Sequence, residues 1–138
     1  MSRKDFFHEA VKNSLIKQRW IITHDLLELE WEEVTVKVDL GAECLIAAER
    51  DTEKIAVEVK SFITPSTISD FHTAVGRFLN YQVMLEVNDP ERILYLAIPI
   101  EIHETFFQSQ FVQTVIKRHA LKLVIYDPVI EEILQWKK

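Results

Sequence analysis

Apolar residues mark the elements of this chain before any chemistry is considered. Over residues 3–19, Phe6, Phe7, Ala10, Val11 and Leu15 recur at helical spacing, with Lys4, Lys12, Lys17 and Arg19 on the other faces. Ser2 followed by Asp5 offers this helix a start resembling a capping box. Residues 20–24 read as a short strand leaving the helix, and the acidic residues 26–33 as a loop or irregular edge. Alternation then predicts strands over 34–39, 44–48 and 54–60, with the polar stretch 49–52 as a hairpin turn. Pro65, Ser66 and Thr67 open a second helix that runs to about Glu86, with Ile68, Phe71, Val75, Phe78, Leu79 and Val83 as its apolar stripe. Asn88, Asp89 and Pro90 close it with turn chemistry.

The unbroken apolar run 93–98 suits a strand covered on both faces. A third helix is expected over 100–119, carrying Phe106, Phe107, Phe111, Val115 and Ile116. Residues 121–126 form another strand, and 129–136 a terminal strand or short helix. The order α-β-β-β-α-β-α-β is that of a mixed α/β sandwich. No glycine-rich phosphate loop supports a doubly wound nucleotide fold.

Length and composition narrow this picture. The 138 residues suit a single domain, 1–138, large enough for its own core. With only 2 Gly and 4 Pro the connections should be tight. No apolar run approaches a membrane span, and the N-terminus lacks the apolar core of a signal peptide, so a cytoplasmic protein is expected. The one cysteine, Cys44, sits in an apolar run and reads as a buried thiol. The net charge of −6 counts against strong autonomous DNA binding, because such affinity comes mainly from Lys and Arg at phosphates. A partner protein supplying part of the DNA grip would fit that balance.

The chemistry centres on Asp39, which stands nineteen residues before Glu58. In a strand, Glu58 and Lys60 share a face while Val57 and Val59 take the other. If residues 34–39 and 54–60 pair as neighbours, two carboxylates and one ammonium converge. Such a cluster can hold a divalent metal and orient a water against a phosphodiester. The bland alternative is a Glu–Lys pair on a solvated strand face, with Asp39 merely ending its strand.

An acidic residue, a gap covering a hairpin, then Glu-x-Lys resembles the PD-(D/E)XK nuclease superfamily, with Val38 in place of the usual proline. The element order is similar to its restriction-endonuclease-like fold: a three-layer α/β core with a mixed sheet flanked by helices. That resemblance implies Asp39, Glu58 and the Val59 carbonyl as ligands of Mg²⁺ or Mn²⁺, with Lys60 acting on the attacking water or on the charge developing at phosphate. It also implies site roles for Glu9 on the first helix and for Gln82 on the helix after the Glu-x-Lys strand. An exposed helix carboxylate and a polar helix flank are the bland readings of those two residues. Glu43 is not expected to ligate.

Nearly the whole chain is similar to the XisH family of fdxN-element excision controlling factors. The similarity is carried by the segments 5–11, 38–43, 56–62 and 74–82, which read DFFHEAV, VDLGAE, AVEVKSF and AVGRFLNYQ. The family resemblance implies programmed excision of a DNA element during heterocyst differentiation, beside a separate recombinase and a companion, XisI. Two functions follow as expectations. One is a metal-dependent DNA endonuclease-like factor. The other is a non-catalytic module that binds an XisI-like partner and controls a recombinase. A homodimer would suit cutting of two strands.

Other residues carry less. The five histidines, His8, His24, His72, His103 and His119, lack zinc-site spacing. Ser61 has no hydrolase elbow around it. Lys12, Lys17, Arg19 and Arg77 are candidates for tracking a DNA backbone, against solvation of helix faces. Phe106, Phe107 and Phe111 suit a core or dimer face better than base stacking.

Overall fold

The computed structural model describes residues 3–31, 34–36 and 45–138. Helix α1 (Arg3–Lys17) buries Ala10, Val11 and Leu15 of the expected stripe, with Phe7 partly buried and Phe6 exposed. It ends two residues earlier than the pattern predicts. Arg19 adopts φ 70°, and the Trp20 N–H donates to the Leu15 carbonyl while Arg19 N–H donates to Ile16. That left-handed closure satisfies the last carbonyls and turns the chain into the sheet.

The sheet has six strands: β1 (Ile21–Asp25), β4 (Leu45–Arg50), β5 (Glu53–Val59), β6 (Ile93–Pro99), β7 (Leu123–Asp127) and β8 (Glu132–Lys137), adjacent in that order. β5, β6 and β7 run parallel, and the other neighbours pair antiparallel. A separate two-stranded ribbon joins β2 (Leu29–Trp31) to β3 (Val34–Val36). Between β5 and β6 runs α2 (Thr67–Asn88). Between β6 and β7 come α3 (Ile100–Glu104), a 3₁₀ turn at Phe106–Gln108, and α4 (Gln110–Arg118).

Alternation along the strands divides the core into two layers. Ile46, Ala48, Ile55, Val57, Val59, Tyr95 and Ala97 pack with α1. Leu45, Ala56, Leu94, Leu96, Ile98 and Leu123 pack with Phe71, Ala74 and Phe78 of α2 and with Phe107 and Val112. The result is the expected three-layer α/β sandwich with a mixed sheet. No helix among the described residues is long and apolar enough to cross a membrane.

Three expectations change, and one open alternative is resolved. The single helix over 100–119 is broken: Thr105 leaves helical geometry at φ −110°, ψ −86°, and the Ser109 side chain caps α4 by accepting the Val112 N–H at 3.3 Å. The break lets Phe107 enter the core fully while Phe111 stays 54% exposed, which one continuous stripe could not do. Residues 26–33 contain β2, whose Leu29 is buried in the core. The 34–39 segment pairs over Val34–Val36 with β2; β5 is flanked by β4 and β6 instead. The last segment is a strand, set up by Asp127, whose Oδ1 accepts the Val129 and Ile130 N–H groups at 2.9 and 3.3 Å. Ser2 and Cys44 lie outside the described residues.

Phe71 is the hub of the helical layer. Its ring meets Phe106 and Phe107 edge-on at 5.6 and 5.5 Å, and the residue is 1% exposed. Replacing it by Ala should lower unfolding free energy by about 3–5 kcal/mol. A shifted denaturant midpoint with unchanged slope would show this, and a loss under 1 kcal/mol would mean the helical layer can collapse into the space.

Candidate functional site

β5 is paired on both sides and covered on both faces, so its last five residues, Ile55 to Val59, are buried. Glu58 lies between Leu45 of β4 and Leu96 of β6 and is 1% exposed. It points with Ala56 into the α2 layer. Lys60, one residue past the strand end, is 7% exposed. The solvated-face reading of this pair is therefore wrong. Val59 between them is buried in the α1 layer, so only its backbone belongs to the Glu58 side.

A buried ammonium requires a partner. Lys60 Nζ stands 3.6 Å from Asp70 Oδ1, and Asp70 is 4% exposed in the first turn of α2. Asp70 Oδ2 accepts the Thr64 N–H at 3.2 Å. The intervening loop is shaped for this: Phe62 takes φ 57° and lays its ring edge-on against Phe107 at 5.7 Å. Ser66 then caps α2 by accepting the Ser69 N–H at 3.2 Å. Sequence reasoning passed over Asp70. The signal was present, four residues after the cap, but an acid there ordinarily serves only the helix dipole.

The other candidates scatter. Asp39 and Glu43 lie outside the described residues. Glu9 is 3.6 Å from Lys12, which in turn meets Asp25 at 2.7 Å; His8 Nε2 reaches the other Asp25 oxygen at 2.8 Å. This cluster belongs to the α1 side, opposite the face that carries Glu58. Gln82 is exposed and borders a groove with Leu85, Arg92 and Lys122. It lies about 18 Å of helix beyond Asp70. α2 runs antiparallel to β5, for Lys54 at the start of the strand meets Asp89 beyond the helix end at 3.7 Å. Gln82 thus lies away from the Glu58–Lys60 end, while the Glu9 cluster reaches Asp25, which the register sets beside Ile46 and Val57.

Two basic candidates are also committed internally. Lys12 holds Asp25, and Lys17 Nζ donates to the Ile130 carbonyl at 2.7 Å. Phe106 and Phe107 serve the core, as their spacing suggested. Burial lowers the His103 pKa, with Lys137 adding repulsion and Glu104 opposing.

The Glu58 carboxylate and the Val59 carbonyl are oxygen donors of the kind hard divalent cations take. Among the described residues, no group of three or more His, Cys, Asp or Glu could hold a metal ion. A full ligand set on this side would therefore need Asp39.

The Asp70–Lys60 contact is testable by itself. Asp70→Asn should cost up to about 3 kcal/mol, because an uncompensated ammonium stays buried. The pair Asp70→Leu with Lys60→Met should recover most of that loss in a double-mutant cycle read by denaturant unfolding; additive losses would deny the coupling. On the α1 side, the hydrogen bond to Asp25 chiefly raises the Lys12 pKa, against desolvation and with help from the Asp25 and Glu9 charges. A raised folded-state value stabilises fully below the ordinary value near 10.5, and the contribution fades as pH climbs through the folded value. Asp25→Asn should bring the Lys12 titration down by NMR and flatten stability loss at high pH; an unmoved titration would assign the shift elsewhere.

Comparison with known proteins gives this fold a family. The XisH protein family matches residues 1–134. The crystal structure of an XisH family protein from Nostoc punctiforme PCC 73102 is 47% identical, covers 97% of this chain and 100% of that one, and superposes with a TM-score of 0.90. A fdxN element excision controlling factor protein from Anabaena variabilis is 46% identical, with 97% of this chain and 99% of that one covered and a TM-score of 0.89. No functionally curated protein matches. With the match spanning almost the full length and the fold superposing throughout, the chain belongs to the XisH family.

Proposed function

We propose that this protein acts on DNA in the excision of a genetic element, as a metal-dependent nuclease-like factor of the PD-(D/E)XK type. The observation that carries the reading is the pairing of Glu58 and Lys60 on one face at the same end of β5, both withdrawn from solvent. Carboxylate and ammonium are costly to bury, and a purely architectural strand would favour apolar residues there. The relative from Anabaena variabilis, described as an excision controlling factor, supports the setting.

In this reading Asp39, Glu58 and the Val59 carbonyl would hold Mg²⁺ or Mn²⁺. When bound, such an ion supplies Lewis-acid charge to the phosphate. Lys60, fixed by Asp70, offers its ammonium to the negative charge that develops as water adds to phosphorus and the ester oxygen leaves. Low surrounding polarity strengthens that interaction, and a preset ammonium avoids reorganisation during the step. Glu9 receives no role, since Lys12 and the α1 layer account for it.

A second reading has one observation behind it. Lys12, Lys54 and Lys60 are each met by an internal carboxylate, and the chain carries net charge −6. A controlling module that binds an XisI-like protein, with or without self-association, would accommodate this without catalysis.

Purified protein, with and without such a partner, should cut linear, nicked or branched DNA only when Mg²⁺ or Mn²⁺ is present. Lys60→Ala should slow cutting by on the order of a hundredfold or more. Glu58→Gln should abolish Mn²⁺ binding as well as cleavage. Undiminished Mn²⁺ binding in Glu58→Gln, or cleavage equal to wild type in Lys60→Ala, would remove the nuclease assignment; no cutting under any condition favours the controlling module.

A further inference from the structure

Lysines elsewhere in the described structure are already engaged. Lys12 meets Asp25, Lys17 donates to the Ile130 carbonyl, Lys54 meets Asp89 and Lys60 meets Asp70. The four remaining lysines with described side chains, Lys117, Lys122, Lys137 and Lys138, converge on one open groove of about 610 Å³. Among the described residues none of the four forms an ion pair with a carboxylate.

The fold gathers them from distant positions. α4 closes by a left-handed turn in which Ala120 takes φ 51° and the Leu121 N–H donates to the Ile116 carbonyl. That turn brings Lys117, in the last turn of the helix, beside Lys122 at the entrance to β7. On the other wall, β8 pairs Lys137 with Leu123. Extending that antiparallel register by one position sets Lys122 against Lys138. Like charges facing across a strand pair oppose each other.

A dull explanation covers part of this. Lys117 and Arg118 complement the carbonyl end of α4. Lysine stems can also shield Ile116 and Leu121 from water. Neither accounts for Lys122, Lys137 and Lys138 lining the same groove as Lys117 with no ion pair to a carboxylate among the described residues, in a chain that is acidic overall. The arrangement lacks an anion.

We infer that this groove binds the phosphate backbone of DNA, as a holding site separate from the Glu58–Lys60 end of β5. The choice of DNA rests on the reading of the protein as an excision factor; the location of the groove does not. Lysine acts on phosphate as a mobile point charge, so the contact would grip the backbone without reading sequence. In a chain of net charge −6, a local cluster of four lysines gives DNA a place to be held and oriented.

Anisotropy of a labelled duplex two helical turns long tests this, in EDTA so that no metal site contributes. Wild-type protein should bind at about 50 mM salt, with affinity falling steeply as salt rises. Lys122→Glu with Lys138→Glu should weaken binding tenfold or more. Changing all four lysines to Gln should reduce the slope of log affinity against log salt by about one for each lysine removed. Unfolding midpoints would confirm that both variants fold. Cleavage absent in every metal, with binding still lost in the lysine variants, would sink the nuclease reading and spare this one. The inference is overturned if wild type does not bind, if the four-lysine variant keeps affinity and slope, or if a poly-glutamate peptide occupies the groove and DNA cannot displace it.

Discussion

Everything around the candidate site follows from β5 being closed on all sides. β4 and β6 take its hydrogen bonds, α1 covers one face and α2 the other. A strand so enclosed would ordinarily be apolar throughout. Here the alternation sends Val57 and Val59 one way and Glu58 and Lys60 the other, so two ionisable groups are carried inside by geometry alone. The rest of this region answers that fact: the Phe62 turn, the capped start of α2 and the inward Asp70 form a frame for the Lys60 ammonium.

The far end of the same strand uses a similar device. Arg92 is 8% exposed; its guanidinium donates to the Ile55 carbonyl at 3.0 Å and to Asp89 at 3.2 Å. Lys54 reaches the same Asp89. Helix α2 is thus fastened near both ends to β5, by Asp70 at one end and by Asp89, just past its last turn, at the other. The apolar stripe between sets how deep the helix sits, and the two acids set where along the strand it lies.

Much of this was legible in the sequence. Period and turn chemistry located α1, α2 and five of the six sheet strands, and the segments 5–11, 38–43, 56–62 and 74–82 pointed to the family. What escaped had local causes. Phe106, Phe107 and Phe111 satisfy helical spacing, yet Ser109 is a better cap than a helix interior residue, and nothing in the period reveals which influence wins. The acidic residues around Leu29 hid a short strand that gains its burial from α2. Asp70 was hidden because its role depends on a lysine ten residues earlier, reached only after a left-handed turn at Phe62. Glu9 and Gln82 were placed by resemblance; Glu9 pairs with Lys12 one turn along α1, and the Lys12 contact with Asp25 depends on how α1 meets β1. The lysine groove joins residues from three elements, a juxtaposition that no window along the chain can display.

The two outermost strands share a detail with a different meaning. In β1 the register jumps from Ile22 opposite Ala48 to His24 opposite Ala47, leaving Thr23 as an extra residue. In β8 it jumps from Gln135 opposite Ile125 to Ile133 opposite Tyr126, leaving Leu134 extra. Each border of the sheet is therefore bent by one inserted residue, on the strand that faces outward. Bulged borders twist their free amides and carbonyls out of line and make poor templates for another strand. A protein built this way can be concentrated without its sheets joining edge to edge into fibrous aggregates.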